Sequence, residues 1–172
     1  MKLTEPKLED RKEQRYMGIR TQVTMGEMSS GVIPQLIGEV FGWLENHDLA
    51  PSGAPFMRFH VINMAANMDI EIGVPVASDQ AGDDRVRPGV LPAGRYASLI
   101  YTGATNGIPA NKALLDWGAE QGLAWDRWDV EEGDAFRSRF ESFLTGPKDD
   151  PDPANWETEV AIRLADKYML NT

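Results

Sequence analysis

One short run in this chain combines residue types and spacing suited to chemistry: Phe140-Glu141-Ser142-Phe143-Leu144. In a β-strand alternate side chains share a face, so Glu141 and Phe143 point one way and Phe140, Ser142 and Leu144 the other. One face then presents a carboxylate beside an aromatic ring. A carboxylate withdrawn from water is costly unless paired, and its pKa rises. A cationic ligand would supply the missing charge, and each aromatic face adds about 0.5–2 kcal/mol by cation–π attraction. The alternative is a Glu141 turned to solvent or bridged to Arg137, Arg139 or another base. The same carboxylate could also activate water or protonate a leaving group, if the surrounding pocket is aromatic and dry.

Large rings stand at positions that could wall such a pocket. Trp125 and Trp128 precede the Glu141 strand and Trp156 opens the last strand; rigid amphipathic rings suit a pocket lining. Trp43 and Trp117, each on a helix, are assigned to core packing. Tyr96 and Tyr101 are five residues apart on one strand, hence on opposite faces, and at most one can face the pocket. The candidate ligand-binding set is therefore Glu141, Phe143, Trp156, Tyr96 and Trp128, with Glu141 the catalytic residue if bonds are broken. His47 and His60 lack metal-ligand spacing, the acidic turn 149–152 matches no calcium loop, and no glycine-rich loop leads from a strand into a helix. No metal or cofactor is expected.

Elements that must position these residues follow from periodicity. Strands are expected at 14–23, 56–62, 69–76, 95–102, 135–144 and 156–164, and amphipathic helices at 33–47 and 108–121. Ser29 or Ser30 is the expected cap of the first helix, with Pro34 in its first turn. Residues 1–13 read as a charged lead-in, 79–84 and 88–92 as breaks, 122–133 as a loop, and 146–153 as an acidic, proline-rich turn. The order strand–helix–strand–strand thus occurs twice, over about 14–77 and 94–165. Arg15-Tyr16 matches Arg95-Tyr96, Trp43 matches Trp117, and Asp69-Ile70-Glu71-Ile72 matches Glu157-Thr158-Glu159-Val160. Neither unit can bury a sheet face alone, so the two should pack as one α+β domain spanning 1–172, with a ligand pocket at their junction.

With its punctuation, this order resembles the GyrI-like family, the AraC-type effector-binding domain of the SOUL/GyrI-like fold. The matching residues are Tyr16 with Gly18, and the run Asp69-Ile70-Glu71-Ile72-Gly73-Val74-Pro75-Val76. In the second half they are Leu91-Pro92-Ala93-Gly94-Arg95-Tyr96-Ala97, Leu114-Leu115-Asp116-Trp117, Phe140 to Leu144, Pro147, and Trp156 to Ile162. The resemblance implies two modules related by a pseudo-twofold axis, enclosing a pocket for hydrophobic, often cationic or polyaromatic, molecules. Stand-alone members bind such ligands, inhibit gyrase, or hydrolyse cyclopropane-containing DNA-alkylating toxins, and all three classes stay open here. Two departures stand out. Glu141-Ser142-Phe143 replaces the usual Glu-x-Tyr, removing a phenol, and Gly103-Ala104-Thr105-Asn106-Gly107 stands where a Gly-x-Tyr is usual.

Composition narrows the classes. The 172 residues include 27 acidic and 17 basic side chains, a net charge of −10. That balance repels phosphate backbones and argues against direct nucleic-acid binding. It leaves a partner protein open as a ligand of the acidic surface. Without cysteine there is no disulfide, thiolate metal site or cysteine nucleophile. No apolar run is long enough for a bilayer and no signal core follows Met1, so a cytoplasmic sensor module without a DNA-binding region is expected.

Overall fold

Two long stretches, residues 14–23 and 94–102, form strands buried on both faces through their middle, one in each half of a single antiparallel sheet. The computed structural model describes residues 2–166; residue 1 and residues 167–172, the ends of the expected domain, lie outside them. The strands are β1 (Lys2–Leu3), β2 (Lys7–Arg11), β3 (Gln14–Val23), β4 (Phe56–Ile62), β5 (Met68–Pro75), β6 (Arg87–Leu91), β7 (Gly94–Thr102), β8 (Arg127–Val130), β9 (Gly133–Phe136), β10 (Arg139–Phe143) and β11 (Glu157–Arg163). The helices are α1 (Met25–Met28), α2 (Val32–Asn46) and α3 (Gly107–Glu120).

The sheet runs β1-β7-β11-β10-β4-β5-β3-β6, with β2 also on β7 and the β8–β9 hairpin on β4. Its central six strands form two triplets, β7-β11-β10 and β3-β5-β4, that mirror each other in chain order. The pseudo-twofold axis passes between β10 and β4, which pair antiparallel with Glu141 opposite Met57. This is the α+β, two-module architecture expected from the repeat.

Both helices lie on one face of the sheet. Leu36, Val40 and Leu44 recur at helical spacing and seat α2 on β3 and β5; Ala110 and Leu114 seat α3 on β7 and β11. Each helix closes its own apolar cluster. The opposite face curls into a half-barrel whose interior holds a third cluster of Tyr16, Phe56, Leu91, Tyr96, Phe140 and Ala161. Here four rings form a row across six strands. Tyr16 meets Phe56 edge-on at 4.9 Å, Phe56 meets Phe140 at 5.7 Å, and Phe140 meets Tyr96 at 5.9 Å. Small residues on the intervening strands make room: Gly73 of β5 between Tyr16 and Phe56, and Ala161 of β11 between Phe140 and Tyr96.

Five expectations need correction. The charged lead-in is structured: β1 and β2 line up along the free edge of β7, pairing Leu3 with Tyr101 and Glu9 with Tyr96. Charge-rich sequence suits an edge strand, and the single apolar Leu8 gave no alternation to read. The break at 88–92 is largely strand β6; its Pro88 is tolerated because β6 ends the sheet and pairs only with β3. The expected loop 122–133 contains β8, and the expected strand 135–144 is divided at Arg137 and Ser138. Before the division β9 pairs with β8 and β4, and after it β10 pairs with β11 and β4. Finally, α2 is preceded by Gly31 in a left-handed conformation (φ 93°) rather than by a serine cap. Ser29 and Ser30 instead donate back to Gly26 and Glu27 carbonyls, and Thr24 with Glu27 forms a capping box on α1. No helix of the described residues is long and apolar enough to cross a membrane.

A Cβ on Gly73 would lie 2.5 Å from the Phe56 ring and 2.8 Å from that of Tyr16. Gly73→Ala is therefore expected to cost about 1–3 kcal/mol by overpacking, measured by urea unfolding. By contrast Gly38→Ala, with nothing within 4 Å of its Cβ, should stabilise α2 slightly, since glycine is the poorer helix former.

Candidate functional site

Because α2 and α3 rest on the outer strands, β4 and β10 floor a valley between them on the helix face. Strand alternation sends Arg139, Glu141 and Phe143 of β10, Met57 of β4 and Thr158 of β11 to this side. Glu141 is buried at 8% exposure. The Tyr101 hydroxyl donates to its Oε1 at 2.6 Å. The first turn of α3 stands over the pair: a Cβ on Gly107 would sit 3.6 Å from that Oε1 and 3.2 Å from the Tyr101 oxygen. The carboxylate is thus set against the positive end of a helix.

Arg139, two residues along the same face, is equally buried. It donates to Asn111 Oδ1 at 2.9 Å and lies over the Phe136 ring at 4.7 Å, while its Nε has no partner. No carboxylate of the described residues lies within 4.0 Å of it. Glu141 is therefore neither turned to solvent nor ion-paired. Desolvation raises its carboxyl above the ordinary 4.5, against the pull of the Tyr101 hydrogen bond, the Arg139 charge and Asn111. Burial likewise lowers the Arg139 guanidinium to about 10, although Glu141 and Asp134 favour its charge. Tyr101 is held protonated, first by burial and then by the carboxylate beside it.

Of the candidate residues, three share this face. Phe143 is half-buried one pleat beyond Glu141, packed on the α2 cluster and paired with Thr158. Trp156 is half-buried in extended backbone two residues before Thr158, so it shares that parity; its indole donates to the Asp150 carbonyl at 2.7 Å. Tyr96 lies across the sheet in the half-barrel, where its hydroxyl donates to the Pro92 carbonyl (2.6 Å) and meets Ser138 Oγ (2.8 Å). Trp128 lies on β8, 45% exposed, with the Arg137 guanidinium 5.7 Å from its ring. The five do not converge on one pocket: parity separates Tyr96, and the β8–β9 hairpin carries Trp128 to the far end of β4.

Tyr101, Asn111 and Arg139 were not among the candidates. The signal for Tyr101 was present in its five-residue offset from Tyr96, which places one tyrosine on each face. Choosing between them required the register in which Tyr101 pairs with Thr158 and Thr158 with Phe143. The phenol missing at position 143 is in effect replaced, since Tyr101 supplies the hydroxyl to Glu141 from β7, across the intervening β11. Both histidines make protein contacts: His47 stacks on Trp43 at 3.8 Å, and His60 bonds Glu71 at 2.8 Å.

Comparison with known proteins supports this geometry at the level of family and fold. The family model described as "GyrI-like small molecule binding domain" matches residues 4–165. No curated protein matches the chain. Among solved structures, the EcmrR C-terminal domain superposes with a TM-score of 0.67 at 19% identity, covering 94% of this chain and 98% of that one. EcmrR in its DNA complex gives 0.73 at 20% identity; the match covers 94% of this chain but only 57% of the EcmrR chain. SAV2435, solved bound to tetraphenylphosphonium, gives 0.57 at 15% identity over 96% of this chain and 97% of its own. A hydrolase from Listeria innocua gives 0.57 at 10% identity over 94% and 92%.

The raised Glu141 carboxyl has a thermodynamic sign. A folded carboxyl that holds its proton more tightly than the unfolded chain lowers stability as pH rises from about 4.5 through the folded pKa. Glu141→Gln, which keeps an acceptor for Tyr101, is therefore expected to melt higher than the parent at pH 7 and level with it near pH 4. Thermal unfolding across that range checks the convergence.

Proposed function

Because the chain belongs to the GyrI-like small-molecule binding family, we propose that the valley between α2 and α3 is its ligand site. Its ligands are hydrophobic small molecules, cationic or polyaromatic, with Glu141 as anionic anchor and Phe143 and Trp156 as walls. The observation that carries this reading is a buried carboxylate without an ion-pair partner, flanked by half-buried rings at the junction of two modules. Desolvation strengthens any charge it meets. A lipophilic cation gains the Coulomb attraction without the hydration cost of a compact ammonium, and the rings add cation–π attraction. The tetraphenylphosphonium held by SAV2435 is a molecule of this class.

Arg139 sets the strength of that attraction. Its charge on the same face partly satisfies Glu141, so a cation entering the valley competes with a resident guanidinium. Titration with tetraphenylphosphonium, followed by tryptophan fluorescence through Trp156, is expected to show saturable quenching. Glu141→Gln should weaken it about tenfold or more (about 1.4 kcal/mol), and Arg139→Met should tighten it. Equal affinity in parent and Glu141→Gln would remove the anchor.

A hydrolytic reading draws on the same raised carboxyl, which held protonated could donate to the leaving group of a strained ring while water adds. It predicts turnover of a cyclopropane-containing alkylator that Glu141→Gln abolishes; stoichiometric binding without product excludes that substrate.

A further inference from the structure

The half-barrel face opens at one end into a second cavity, back to back with the valley across a single layer of strands. Its volume is about 280 Å³. Phe56, Tyr96 and Phe140, three rings of the central row, form its floor, and Ala54, Pro75, Leu91 and Leu144 its apolar walls. The polar groups gather on one side: Arg11, Lys12 and Gln14 from the β2–β3 turn, with Ser142 and Glu159 from β10 and β11.

The place a cation would take over these rings is already filled. The Arg11 guanidinium lies 5.5 Å from the Tyr96 centroid and 6.0 Å from that of Phe140. It is held there by Glu159 at 3.0 Å and Glu9 at 2.6 Å, and Glu9 is shared with Lys7. Its Nε–H is buried and has no acceptor among the described residues, an unmet donor that is costly until something accepts from it. Gln14 is spent on the Arg15 and Val76 carbonyls. With Arg11 balanced by Glu159, the exposed Lys12 leaves the lining one positive charge in excess, on a chain whose net charge is −10. The free donors are thus Arg11 Nε, the Lys12 ammonium and the Ser142 hydroxyl, above a floor made of ring faces and edges.

We propose that this cavity is a second binding site, separate from the helix-face valley, and that it takes an aromatic monoanion of the aryl carboxylate class. The ring would lie on the Phe56–Phe140–Tyr96 floor and the carboxylate would accept from Arg11 and Lys12. The two faces of the sheet then select opposite charges: a buried carboxylate with no ion-pair partner among the described residues on one, a resident guanidinium with a spare ammonium on the other. This proposal does not depend on the valley being a ligand site.

Isothermal titration of the full chain with 1-naphthoate and with its cationic counterpart 1-naphthylmethylammonium tests it. The parent is expected to bind naphthoate at least tenfold more tightly than the ammonium. Lys12→Glu, at an exposed position, should cut that preference tenfold or more without moving the melting temperature. Ala54→Trp, which fills the mouth, should abolish naphthoate binding. Failure of the parent to bind naphthoate, an equal response to both charges, or binding that neither substitution alters would overturn the proposal.

Discussion

The row of four rings across the half-barrel is the constraint from which much of the remaining structure follows. Tyr16 and Tyr96 sit on strands five places apart, and they reach a common cluster only because the sheet curls. Between the rings stand Gly73, with no side chain, and Ala161, with only a methyl group, and these leave room for the rings to approach. The same pair of small residues, related by the pseudo-twofold axis, gives both modules the same curvature. Each module then carries its helix on the convex side, and curvature spreads the helices apart. The stretch of β4 and β10 that lies between the helices, with Met57, Arg139 and Glu141 buried on it, is the outer expression of packing on the inner face.

Electrostatics in the valley are arranged as tension rather than as a bond. Glu141 and Arg139 lie on one face, both deprived of water, yet they are not joined within salt-bridge distance. Each is held by a neutral partner instead, Tyr101 for the carboxylate and Asn111 for the guanidinium. A direct buried pair would have quenched both charges and left little for a ligand to find. Splitting the pair with neutral hydrogen-bonding residues keeps each charge partly unsatisfied, a cost borne by the folded state. On the inner face the opposite solution appears. Glu71 is drawn upward by burial, but His60, Tyr16 and Arg58 hold it below the ordinary carboxylate range, and the group is closed to further partners.

The repeat was legible because strand–helix–strand–strand leaves a periodic trace that loop insertions displace without erasing. Both amphipathic helices were legible from helical spacing and the central strands from β-forming runs between breaks, with β10 read as the end of a longer strand; strand parity placed Glu141 and Phe143 on one face. Edge elements were not legible. Lys7-Leu8-Glu9-Asp10-Arg11 pairs along one side and faces water on much of the rest, so charge replaces alternation. β8 was hidden for a related reason, since three of its four residues are exposed. Within the site, parity within a strand could be read, but register between strands could not. That is why Glu141 was found and Tyr101 was not. Asn111 and Arg139 meet across a helix–sheet contact, a relation that no local spacing encodes.

β10 has only five residues, yet its odd positions face the valley and its even positions face the half-barrel. Two vocabularies are therefore written along one strand, interleaved letter by letter. A change at Glu141 alters the helix face while Ser142 and Phe140 leave the half-barrel face unchanged, so the two faces can vary independently on one scaffold. The same interleaving forbids drift. A slip of one residue against β4 would put Ser142 where Glu141 stands and bury the carboxylate among the rings. The irregular pairing of β4 between Phe59 and Val61, together with the division at Arg137 and Ser138, acts as a reading-frame mark that keeps the strand in phase.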